Sequence, residues 1–179
     1  FYLDTSLTIT NATAGDTTAQ LDISTFVNTI ARKGVKGQGL GIYRVYWSIA
    51  SNTDESDPVA ETETAIFRSA LLAGAGLGTN ATGVLALGAA NKLGPSNDNV
   101  VSAMDFYGGA GGGNTAPYFN VFIGPSDEVP FVVVRDNVCL VASLEANAAV
   151  DITVSIRMEC GLVTLGTDVL NQLLLTQTA

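Results

Sequence analysis

The stretch VDITVSIRMEC, residues 150 to 160, alternates without a break. Val150, Ile152, Val154, Ile156, Met158 and Cys160 fall on one side, and Asp151, Thr153, Ser155, Arg157 and Glu159 on the other. A side-chain period of two over that length fits a half-buried β-strand, because a helix would scatter the same apolar residues round its circumference. The preceding stretch, NVCLVASLEA, puts Val138, Leu140, Ala142 and Leu144 on one face, and NAA at 147 to 149 offers a turn. The two runs are therefore expected to pair as a β-hairpin. The same parity turns Cys139 away from the core and Cys160 into it, which predicts two reduced thiols on opposite faces rather than a bridge.

Further strand patterns follow along the chain. FYLDTSLTIT at 1 to 10 sets Leu3, Thr5, Leu7 and Ile9 against Asp4, Ser6, Thr8 and Thr10. LGIYRVYWSIA at 40 to 50 sends Tyr43, Val45, Trp47 and Ile49 to the core side and Ile42, Arg44, Tyr46 and Ser48 to the other. NVVSAMDFYG and PYFNVFIG are aromatic-rich, and VPFVVVRD is a continuous apolar run that predicts a strand covered on both faces. Two stretches break the period. In DISTFVNTIARKG, Ile23, Phe26, Val27 and Ile30 fall at helical spacing, with Asp22 or Ser24 as cap and Arg32, Lys33 and Gly34 at the end. This predicts a short helix, although a strand would absorb part of the segment equally well. The tail GTDVLNQLLLTQTA offers Thr167 as N-cap and Val169, Leu170, Leu173 and Leu174 as an apolar stripe, the pattern of a terminal helix or a swapped arm. No repeat or linker divides the chain, so residues 1 to 179 are expected to form one domain. The class is all-β, an antiparallel sandwich or barrel of about eight strands with one or two short helices.

Chemistry is restricted by what is missing. There is no histidine, which removes the usual general base, the commonest metal ligand and every Ser-His or Cys-His nucleophile pair. Two cysteines do not make a zinc site. Acids gather in one loop at 52 to 63, where Asp54, Glu55 and Asp57 are the candidate calcium ligands, but the spacing lacks the order of an EF-hand and a solvated loop is the preferred reading. YGGAGGGNTAPYF at 107 to 119 has the glycines of a phosphate cradle, yet neither a lysine nor a helix follows them, and LAGAGLGTNATG at 72 to 83 lacks the lysine too. No catalytic residue, metal or cofactor is expected. A net charge of −9 argues against direct nucleic-acid contact, and no apolar stretch is long enough to span a membrane. Hydrophobic residues make up 47% and charged residues 14% of the chain, with a mean hydropathy of +0.32, so part of the apolar surface is expected to be buried between subunits. Asn11 and Asn80 head glycosylation-type triplets, which count only in an exported protein. Opening on Phe1 rather than Met, the chain is expected to have been processed or trimmed.

The strand FYLDTSLTIT, the aromatic strand GIYRVYWSIA and the closing run NVCLVASLEANAAVDITVSIRMEC, in a chain rich in Thr, Ala, Gly and Asn, resemble the single jelly-roll capsid proteins of icosahedral viruses. The resemblance covers most of the chain and is one of pattern rather than of a signature motif. It implies a jelly-roll barrel packed side by side with copies of itself into a virion shell, with other capsid proteins as further partners. On that reading the sheet edges, the loops at 52 to 63 and 107 to 117 and the two termini make the contacts. The candidate contact residues are Phe1, Tyr2, Gly109, Gly111, Gly112, Pro117, Leu173 and Leu174. The chain departs from genome-holding capsid proteins in lacking a basic N-terminal arm, which implies a membrane or another layer between shell and nucleic acid. Two rivals stand beside this reading. One is an exported filament or surface-layer subunit that donates residues 1 to 10 to a neighbour, and the other is a carbohydrate-binding or carboxylate-dependent hydrolase sandwich. For the latter, Tyr43 and Trp47 are expected in the core and not on a sugar platform.

Overall fold

A computed structural model describes residues 1–10, 15–30, 36–51, 66–74, 93–94, 97–107, 118–144 and 151–177. Within them run strands β1 (Tyr2–Ile9), β2 (Gly15–Asp22), β3 (Gly37–Ser51), β4 (Ile66–Ala73), β5 (Val100–Tyr107), β6 (Tyr118–Ile123), β7 (Phe131–Val133), β8 (Asn137–Leu144) and β9 (Ile152–Leu165), and then helix α1 (Thr167–Thr176). The strands form two antiparallel sheets, ordered β1-β9-β3-β7 and β2-β8-β4-β5-β6. Their inward faces share one core: Leu7 and Ile9 from β1 and Ile152 to Cys160 of β9 meet Val138, Leu140 and Ala142 of β8 and Met104 and Phe106 of β5. The fold is an all-β sandwich.

The hairpin expected from the closing run does not form. β8 pairs with β2 and β4, and β9 pairs with β1 and β3, so the two lie in opposite sheets and face each other across the core. An apolar face every second residue is satisfied equally by a neighbour beside the strand or a sheet opposite it. Length separates the two outcomes. β9, with 14 residues, is matched along its whole extent by the 15 residues of β3, whereas β8 has the 8-residue length of β2 and β4. The chain crosses between sheets at each of the first four strands. The returning half then pairs backwards against it, β9 on β1, β8 on β2 and β7 on β3.

The helix expected after Asp22 is also absent. β2 runs to Asp22, a single 3-10 turn covers Ser24–Phe26, and the chain then bridges Asn28 to Gln38 at the start of β3. Asp22 does act as a local cap, its carboxylate accepting the Ser24 N–H at 2.8 Å, but it closes a turn and not a helix. Ile23 is fully buried and Phe26 and Val27 pack against the core, while Ile30 is 63% exposed. Helical spacing was thus met by a strand end followed by one turn, and the β-branched Thr25, Val27, Thr29 and Ile30 weaken any longer helix. Arg32, Lys33 and Gly34 lie outside the described residues.

At the other end α1 forms one residue early, with Gly166 in the cap position and Thr167 as its first helical residue. Leu170 is fully buried and Leu173 and Leu174 are half-buried, whereas Val169 is 51% exposed and lies off the packed stripe. The apolar run VPFVVVRD contributes only the three residues of β7, and both its faces are covered as expected. Val133 and Phe131 join the sandwich core, while Val132 and Val134 meet Leu165 and Leu170 under α1.

β3 carries an irregularity that the alternation hid. Ile42 pairs with Cys160 and Arg44 with Glu159, leaving Tyr43 as an extra residue, a β-bulge. Ile42 is therefore fully buried in the core, and Tyr43 is turned out over the opposite face. There its ring lies where a Cβ on Gly161 would meet it at 3.0 Å. The expected placement of Tyr43 in the core is corrected by this bulge. Beyond it the reading holds: Val45, Trp47 and Ile49 pack on the core, and the Trp47 indole N–H donates to the Ser102 hydroxyl at 3.0 Å, tying β3 to β5 across the sandwich.

Candidate functional site

The interior carries two thiols. Cys160 sits in the sandwich core, and Cys139 lies on the opposite face of the β8 sheet among Ala70, Leu72, Leu93, Val100 and Val141. Both are buried and free, on the faces that parity assigned them. Burial disfavours the thiolate and pushes both pKa values up to about 11. Neither can serve as a nucleophile at neutral pH. Native protein is expected to resist an excess of a thiol-specific disulfide reagent at pH 8, and unfolded protein to release two equivalents, as absorbance would show. The linkage has a definite sign. The unfolded thiols ionise near 9.0 and the folded ones near 11, so stability present below pH 9 declines as pH rises through that window. The slope is at most ~1.4 kcal/mol per pH unit for each thiol.

The outer face of the four-stranded sheet is polar and ordered into rows by the strand register. Tyr2, Glu159 and Arg44 form one row across β1, β9 and β3; Asp4, Arg157 and Tyr46 form the next; Ser6, Ser155 and Ser48 form the third. Thr8 and Thr153 continue the pattern, their hydroxyls 3.2 Å apart. Three small side chains in one row leave the surface low there, and Tyr2 and Tyr46 stand up beside it, 59% and 47% exposed. The result is a depression of about 730 Å³ lined by residues of all three strands. Tyr46 is held in place, its hydroxyl donating to the Glu159 carboxylate at 3.3 Å. Arg44, in the Glu159 row, pairs with Asp127, and bonding to Tyr46 and Asp127 raises its already high pKa.

The sheet edges differ from one another. At one end of the four-stranded sheet, β7 has its outward backbone groups capped by the carboxamide of Gln177, just past α1. Val134 N–H donates to the Gln177 side-chain oxygen at 3.0 Å, and the Gln177 side-chain N–H donates to Val132 O at 2.7 Å. The Arg135 guanidinium binds Gln177 O at 3.0 Å and completes the clamp. At the opposite end, among the described residues, β1 pairs only with β9, and β2, the edge of the second sheet, pairs only with β8. Neither β1 nor β2 contains a lysine or a proline, the residues that usually blunt an exposed edge.

The candidate contact residues fall into three groups. Phe1 and Tyr2 are exposed; Phe1 extends the β1–β9 ladder through hydrogen bonds with Cys160 and stacks on Phe26 with ring centres 5.0 Å apart. Leu173 and Leu174 are half-buried against the chain's own β7 and β9 region, while the exposed apolar residues of α1 are Val169 and Leu175. Gly109, Gly111, Gly112 and Pro117 lie outside the described residues, although the strands they connect, β5 and β6, are hydrogen-bonded neighbours. Asp54, Glu55 and Asp57 also lie outside them. Among the described residues no three acidic or thiol side chains gather to hold a metal ion, and no helix is long and apolar enough to cross a membrane.

Asp4, Arg157, Tyr46 and the serine row went unnoticed as a group in the sequence. Alternation places each on a polar face, but only the β1-β9-β3 pairing makes them neighbours. The sequence matches no protein-family model and no curated protein.

Proposed function

We propose that this chain is a self-assembling structural subunit, a capsid protein of the jelly-roll type that packs into a virion shell. The observation that carries the reading is the strand order. An antiparallel ribbon, β1 to β4 against the returning strands, folded over a common core yields the orders β1-β9-β3-β7 and β2-β8-β4-β5, with β6 added at the edge. These orders are what the double Greek-key wrapping of a jelly roll would give, and they support the reading. Three further features support assembly. Among the described residues β1 and β2 each have a strand on one side only, Phe1, Tyr2, Val169 and Leu175 keep apolar surface exposed, and charged residues are only 14% of the chain. Both thiols are buried and protonated, so neither competes with this reading as a reactive centre. With a net charge of −9 the subunit contacts copies of itself or other shell proteins and not the genome.

Sedimentation velocity at high protein concentration in the native salt, with electron microscopy of the same sample, tests the proposal. Closed shells or flat hexagonal arrays are expected. A clean monomer would overturn it, and linear fibres would favour a filament subunit pairing through β1.

A further inference from the structure

We infer that the depression on the outer face of the four-stranded sheet is a binding site for a neutral saccharide. It rests on β1, β9 and β3 of a single chain and shares only Tyr2 with the proposed assembly surface.

The argument starts from which groups are already engaged. Arg44 is paired with Asp127, and Glu159 accepts the Tyr46 hydroxyl. In the two rows below, Asp4, Arg157, Ser6, Ser48 and Ser155 make no hydrogen bond or ion pair through their side chains with any described residue. Asp4 and Arg157 are direct cross-strand partners, yet no ion pair joins them. One lining of the hollow therefore presents an acceptor-only carboxylate, a donor-only guanidinium and three hydroxyls that do either.

Few ligand classes meet that set. The hollow has one charge of each sign without a partner among the described residues, so an anion would face Asp4 and a cation Arg157. An apolar molecule would strip water from five polar groups and return no hydrogen bond, at a cost of about 1–3 kcal/mol for each one left unpaired. A sugar hydroxyl donates and accepts at once, so neighbouring hydroxyls of one pyranose can serve the carboxylate, the guanidinium and the serine floor together. The C–H face of the ring then has somewhere to lie. Tyr2 and Tyr46 stand on strands two spacings apart, about 10 Å, and offer apolar ring faces with polar ends. The Tyr46–Glu159 bond fixes one of those rings before any ligand arrives, which lowers the ordering cost of binding. The volume of about 730 Å³ suits an oligosaccharide end of two or three rings and falls inside the size of ordinary ligand clefts.

Saturation-transfer difference NMR on the full chain tests this, because it reads the ligand's protons and works for a monomer or a large assembly alike. The probes are lactose, cellobiose, maltotriose, laminaribiose and mannobiose at millimolar concentration, with sialyllactose as the charged arm. Saturation is expected on the C–H protons of one pyranose face of at least one neutral probe. Arg157→Gln and Tyr2→Ser, both at exposed side chains without bonds to other described residues, are expected to weaken that probe about tenfold each, the worth of one charge-assisted hydrogen bond or one ring contact. Gln20→Ala on β2 should leave it unchanged. Absence of transfer to every neutral probe overturns the inference. So does transfer that neither variant diminishes, or binding confined to sialyllactose and lost with Arg157→Gln.

Discussion

Replacing Gln177 by alanine is expected to destabilise the sandwich by about 2–4 kcal/mol, a large effect for a residue next to the end of the described chain. The carboxamide does the work of a neighbouring strand for β7, accepting from Val134 N–H and donating to Val132 O. Val134 and Gln177 are both buried, so alanine leaves a backbone donor and a backbone acceptor without partners. Each lost partner costs about 1–3 kcal/mol if water does not replace it. A denaturation midpoint that falls with unchanged slope would measure the loss. A change below about 0.5 kcal/mol would mean that water fills the gap. Gln177→Glu separates the two bonds. The carboxylate still accepts from Val134 but opposes Val132 O, and protonation restores the donor. Its folded pKa is thus raised, so the variant should approach wild-type stability below the usual glutamate pKa of ~4.3 and lose it as pH rises. A pH-independent deficit would contradict the arrangement.

Deleting Tyr43 is expected to leave the protein folded, while deleting Val45, two residues on, is expected to abolish folding. Tyr43 is the extra residue of the bulge, so its removal lets Ile42 and Arg44 continue in step against Cys160 and Glu159 with every later side chain on its present face. The loss is the ring that covers Gly161. Deleting Val45 has no such remedy. If the bulge persists, Trp47 and Ile49 turn to solvent and Tyr46 and Ser48 turn inward. If the bulge closes, Arg44 takes the place opposite Met158 and an unpaired guanidinium enters the core, at a cost of several kcal/mol. Expression of the two deletions with heteronuclear NMR or near-ultraviolet dichroism distinguishes them. Two folded variants, or two unfolded ones, would contradict the bulge.

These deletions also mark how far the sequence could be read. Where a face is simply buried, the pattern sufficed: β1, β8 and β9, the free thiols and, Val169 apart, the packed face of α1 follow from local periodicity. It failed where a second body decides. Nothing in NVCLVASLEA or VDITVSIRMEC distinguishes a strand alongside from a sheet opposite. The bulge at Tyr43 is invisible because one inserted residue leaves a run of aromatic and β-branched residues that still alternates on paper, and only the partner's register shows the extra one. At Asp22 to Ile30 the apolar spacing suited a helix, but the pairing of Asn28 with Gln38 and the burial of Ile23 in the core are tertiary effects that override a weak local preference. The polar depression was illegible for the same reason as the failed hairpin: its residues come from three strands distant in sequence.

That distance sets the order of events in the life of the chain. Phe1 bonds to Cys160, 159 residues away, and Thr8 meets Thr153 across 145. Among the described residues β1 has no other strand partner, and β9 is also the link between β1 and β3. During synthesis β1 must therefore wait until β9, some 145 residues further on, has been made, and its closure is a slow step dominated by remote pairing. A chain interrupted before residue 152 would hold β1 and β3 with the strand between them missing. Closure of the four-stranded sheet thus reports that β9 has been made: only a chain that includes it presents β1 as a paired strand.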